Sequence, residues 1–177
     1  MSPFIEVCIL KKWEQKVMEV LADYLGGTKF AAEARGHQVL CDQPRDNGGS
    51  DEGMSPPEFL LTALATCAAY YAVQYLKVRA LPTANLQVRV NAEKAQQPAR
   101  LASFQIDVGV PNLDERHQAG LLRAVKACLI HATLLNAPTI EVSIHTPPVS
   151  LAVTAPPRSG GDNDYWTGLT KLNSRVS

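Results

Sequence analysis

Four cysteines, Cys8, Cys41, Cys67 and Cys128, carry the strongest chemistry in the chain. No two of them form a CxxC pair, and none joins a histidine at zinc-ligand spacing, so a closed metal site is not indicated. What is left is the chemistry of thiols. A thiolate is a nucleophile, and its oxidation runs through a sulfenic acid to a disulfide when a second thiol is near. Scattered cysteines in a cytosolic chain are ordinarily small buried hydrophobes, and Cys8 and Cys41 are read that way. Cys67 and Cys128 differ, because each falls on the apolar stripe of an expected helix. A disulfide between them needs Cα atoms within roughly 4.4–6.8 Å, so both stripes have to enter one core.

The first of these helices starts at Ser55-Pro56-Pro57-Glu58. Serine at the N-cap, proline at the first helical position and glutamate three residues on make a capping box. The spacing predicts a helix to about Arg79, stopped by Leu81-Pro82. Its apolar stripe holds Leu60, Leu64, Cys67, Tyr71, Tyr75 and Val78. Alanines fill most of the remaining surface, which suits a helix enclosed on nearly all sides. Asn112-Leu113-Asp114-Glu115 is a second capping signal. It opens a helix whose stripe runs Leu121, Val125, Cys128, Leu129 and Ala132.

Strands are expected at 18–24, 29–35 and 38–42, joined at Gly26-Gly27 and Gly36-His37 into an antiparallel meander. Two more, at 86–90 and 101–110, flank a polar loop at 93–100. Ile140-Glu141-Val142-Ser143-Ile144 alternates as a last strand. That order predicts an α+β fold with helices packed on a largely antiparallel sheet. Residues 1–16 read as an N-terminal extension, 17–145 as the domain and 146–177 as a Pro/Gly-rich tail.

The charges, 17 basic and 17 acidic, leave no basic surplus for nucleic acid. The longest apolar stretch, 59–73, is shorter than the ~20 residues of a membrane span, and no secretory signal opens the chain. A cytoplasmic protein without cofactor, metal, nucleic-acid or membrane partner is therefore expected.

The run Gly53-Met54-Ser55-Pro56-Pro57-Glu58-Phe59-Leu60-Leu61-Thr62-Ala63-Leu64-Ala65-Thr66-Cys67 resembles the first-cysteine helix of the OsmC/Ohr family. That family comprises osmotically inducible and organic hydroperoxide resistance proteins. Ala127-Cys128-Leu129-Ile130-His131-Ala132-Thr133-Leu134 resembles its second-cysteine segment. The resemblance covers residues 17–145. It implies antiparallel sheets wrapped around two central helices in an intertwined homodimer. It also implies a thiol peroxidase acting on organic hydroperoxides, with Cys67 peroxidatic, Cys128 resolving, and a dithiol reductant reopening the disulfide.

The resemblance further implies an arginine in the early hairpin, paired with a glutamate, to activate the thiolate. Here the arginine position holds Thr28, followed by Lys29; Lys29 and Arg35 are the candidate substitutes. Glu58 stands nine residues before Cys67 where the family pattern has ten. On a regular helix that is half a turn off and ~13.5 Å along the axis. Glu58 therefore acts across a dimer interface or serves its capping box alone. Two other readings stay open: a non-catalytic dimer binding a small hydrophobic ligand near Cys67, and a redox sensor working through the Cys67–Cys128 disulfide.

Overall fold

The computed structural model describes residues 18–146, so the expected N-terminal extension and the tail beyond Thr146 lie outside the described residues, as does Cys8. The chain divides into one unit ending at Pro138 and another beginning at Thr139.

In the first unit, β1 (Leu21–Gly26), β2 (Lys29–Ala34) and β3 (His37–Cys41) form an antiparallel meander. Its first turn depends on glycine, since Gly26 and Gly27 take φ of 108° and 58°. A loop leads to α1 (Pro56–Val78). Then come the hairpin of β4 (Gln87–Gln96) and β5 (Ala99–Gly109), and the helices α2 (Glu115–Lys126) and α3 (Leu129–Leu135). The fold is α+β with two antiparallel sheets, as the element order predicts.

The capping box of α1 forms as expected. The Glu58 carboxylate accepts from both the backbone N–H and the hydroxyl of Ser55, each at 2.7 Å. The buried row differs from the predicted stripe by one step and runs Leu64, Ala68, Ala72 and Leu76. Cys67, Tyr71 and Tyr75 are only half-buried, and Val78 is 81% exposed. Close approach explains the shift. Ala68 and Ala72 meet Leu121 and Val125 of α2 in the core, and small residues let the two helices pack tightly. Where α2 crosses Tyr75, a Cβ at Gly120 would collide with the Tyr75 hydroxyl. Among the described residues α1 is the helix long and apolar enough, by length and composition, to cross a membrane. The same features suit a central helix on which other elements pack.

Four further expectations are corrected. The polar segment 93–100 is strand, not loop: β4 and β5 run on past a bulge at Glu93/Lys94 and turn at Gln97-Pro98. Its polar side chains pair across the strands, Ser103 Oγ donating to Glu93 at 3.1 Å. The N-cap of α2 is Asp114, which accepts from the Arg116 amide at 2.9 Å, while Asn112 stands before it with φ 56°. The expected second helix is two helices, because the backbone leaves helical geometry at Cys128 (φ −57°, ψ 134°). In the second unit, 140–144 is not a strand. Ile140, Val142 and Ile144 are 80–88% exposed, and no pairing partner is present among residues 139–146.

A buried charge ties the meander to the start of α1. Asp42 is wholly enclosed. Its carboxylate accepts from the Thr28 hydroxyl at 2.6 Å and from the amides of Gln43, Ser50 and Glu52 at 2.8–3.1 Å. Those bonds, Thr28's foremost, outweigh desolvation and hold its pKa down at about 2. A depressed carboxylate contributes stability above its unfolded pKa, ~3.9, and loses that contribution as pH falls through its folded one. In Asp42→Asn an amide N–H faces donors, so the melting temperature at pH 7 should drop by about 5 °C or more. The fall in stability between pH 4 and about 2 should also flatten. Thermal melts across that range decide it; a variant with the wild-type Tm and acid profile would show that the loop is held by something else.

Candidate active site

Cys67 lies three turns into α1, carried there by the helix that Ser55 and Glu58 cap. Cys128 is brought to it by the break between α2 and α3. There Cys128 is the N-cap of α3, wholly buried, while Cys67 is only half-buried. The two thiols are neighbours: Cys67 lies near enough to Cys128 to push its thiol up. The two cysteines singled out from their helical stripes are thus brought together, and both are free thiols.

Burial is the largest influence on Cys128 and pushes its thiol up from the usual range; the neighbouring Cys67 adds to it. The amides of His131 and Ile130 oppose both. Cys128 makes no side-chain cap hydrogen bond of ordinary geometry, yet these two N–H dipoles in the first turn of α3 lie near enough to favour the thiolate. Among the described residues no cation acts on Cys128. Cys41, the third described thiol, is buried at the end of β3. Burial and then the Asp42 carboxylate push its pKa up, which suits an inert structural residue.

The other candidates stand apart from the thiols of their own chain. Lys29 Nζ pairs with Glu52 at 2.6 Å. Arg35 is exposed in the turn between β2 and β3, with φ 54°. Glu58 spends its carboxylate on Ser55, and the two Ser55 bonds, with a smaller pull from Lys94, lower its pKa. Thr28, in the position of the missing arginine, instead serves Asp42.

His131 has no place among the residues chosen from sequence as catalytic. Its Nδ1 lies 3.0 Å from the Lys126 carbonyl. From sequence, three residues after Cys128, it reads either as lining the site or as a satisfied helix-end histidine. An apolar cleft of about 1080 Å³ opens between β5, α2 and α3, lined by Phe104, Ile106, Val108, Leu134 and, on its polar side, Lys126 and His131. Neither Cys67 nor Cys128 lines it. Among the described residues no group of three or more His, Cys, Asp or Glu could hold a metal ion.

The family profile described as OsmC-like protein matches residues 49–143, just over half of the chain. No curated protein sequence matches. Among solved structures, a Psychrobacter arcticus protein whose name refers to osmotic stress induction and detoxification response superposes with a TM-score of 0.62 at 22% identity, over 68% of this chain and 90% of that one. An OsmC like protein from Mycoplasma pneumoniae gives 0.57 at 18% identity, over 70% and 90%. A hypothetical protein from Aquifex aeolicus VF5 gives 0.56 at 18%, over 69% and 89%. At these identities the likeness is one of fold.

Proposed function

The chain belongs to the OsmC-like protein family, and from that membership we propose that it is a two-cysteine thiol peroxidase for organic hydroperoxides. The observation that carries the reading is a half-buried thiol, Cys67, beside a wholly buried one, Cys128. A peroxide reaches the first and not the second.

In the proposed cycle the Cys67 thiolate attacks one oxygen of the hydroperoxide. The O–O bond breaks, the alkoxide takes a proton from solvent, and Cys67 becomes a sulfenic acid. Cys128 then attacks that sulfur, losing its own proton as the hydroxyl leaves, so that water and a disulfide form. An external dithiol returns both to thiols. Nearness of the two thiols shortens the search in the second step. The amides of His131 and Ile130 stabilise Cys128 as its proton departs.

The reading includes a homodimer. Tyr24 and Leu25 of β1 and Tyr70 of α1 are 56–66% exposed, and apolar area of this kind marks contact surfaces. The dimer also supplies the route by which Lys29, Arg35 or Glu58 acts on Cys67, since none of them pairs with it within one chain. Ligand binding without turnover is the second reading, favoured by the apolar cleft.

One equivalent of cumene hydroperoxide added to reduced protein should remove two free thiols in the wild type. Cys67→Ser should lose none at a comparable rate. Cys128→Ser should stop at a sulfenic acid that dimedone traps. Wild type that keeps its thiols, with a fluorescent fatty acid bound in the cleft, would favour the second reading. Sedimentation at micromolar concentration should show a dimer; a monomer alone would remove the interface from the proposal.

A further inference from the structure

The break that delivers Cys128 has no glycine or proline to cause it, so something else has to hold it. A helix end leaves its last four carbonyls without intrahelical donors. At the end of α2 three of these are taken by backbone: Ala127 N–H donates to Arg123 O (3.2 Å) and Ala124 O (3.1 Å), and Cys128 N–H to Val125 O (3.1 Å). The fourth, that of Lys126, meets the His131 ring at Nδ1, 3.0 Å away. A carbonyl can only accept, so Nδ1 carries the proton. Neutral and protonated imidazole both keep that donor, so the contact is independent of histidine charge. His131 sits one turn into α3, and the Ala132 amide beside it bonds Cys128 O at 2.9 Å. The ring therefore links the last turn of α2 to the first turn of α3, with Cys128 held between.

We propose that His131 is a positioning residue: by donating Nδ1–H to the Lys126 carbonyl it fixes the junction of α2 and α3 and holds Cys128 against Cys67. Its role in turnover rests on the peroxidase reading; its effect on the closeness of the two thiols does not.

The test pairs His131→Leu, which fills space without a donor, with His131→Asn, whose side-chain amide places an N–H where Nδ1 stood. Two oxidants are used. After one equivalent of cumene hydroperoxide, wild type should pass quickly to disulfide. His131→Leu should consume peroxide at the wild-type rate but close the disulfide about tenfold more slowly, so that dimedone traps Cys67 sulfenic acid. His131→Asn should return closure to near the wild-type rate. Diamide joins neighbouring thiols with no peroxide step, and its closure rate should follow the same order. Inertness of the wild type to peroxide with ordered diamide rates would sink the peroxidase reading and leave the positioning role standing. Disulfide closure in His131→Leu at the wild-type rate would overturn the proposal, and so would equal impairment of the Leu and Asn variants. If His131→Leu does not fold, His131→Ala takes its place under the same two criteria.

Discussion

Everything at the candidate site depends on one juxtaposition, a fully buried Cys128 thiol beside a half-buried Cys67. Burial and the neighbouring Cys67 both push the Cys128 thiol up, which suits a protected second nucleophile better than a first one. Cys67, on the accessible side of the pair, can meet a peroxide. The roles divide through environment, since the side chains are identical. Two features oppose the cost of burying Cys128: the amides of Ile130 and His131 face its sulfur, and the junction of α2 and α3 aims the chain there. A helix continuing through residue 128 would offer no free amides at that sulfur.

The scaffold supports this juxtaposition through two polar arrangements. The Ser55–Glu58 box sets where α1 begins and so the height of Cys67 along it. The Asp42 carboxylate, bonded by Thr28 and three loop amides, joins the β1–β2 turn to the loop that enters α1. Thr28 thus has a structural duty where the resemblance implies a catalytic arginine. Lys29 is likewise occupied by Glu52. Among the described residues, backbone amides of α3 are what favour a thiolate at Cys128.

Much of this is legible in the sequence because its signals are local. Ser55, Pro56 and Glu58 announce α1, and Gly26-Gly27 and Gly36 announce the turns of the meander. The buried row of α1 is less legible, since hydropathy points to large residues while tight packing on α2 selects Ala68 and Ala72. The hairpin is underestimated because its exposed face is polar; Glu93 and Ser103 look like loop residues until they are seen opposite one another. Ile140 to Ile144 alternates well, yet a strand is a pairing, and one segment cannot reveal its partner. The break at Cys128 is the least legible element. It follows from how the end of α2 is satisfied, with His131 closing the last carbonyl, and no residue type signals that.

Peptide mapping without reduction, on protein treated with one equivalent of an organic hydroperoxide, tests the central juxtaposition most directly. The dominant crosslink should join the peptides of Cys67 and Cys128, with Cys41 recovered as a free thiol. A crosslink through Cys41 or Cys8 in its place, or a Cys67 that stays reduced while another cysteine oxidises, would contradict the assignment of these two thiols as the working pair.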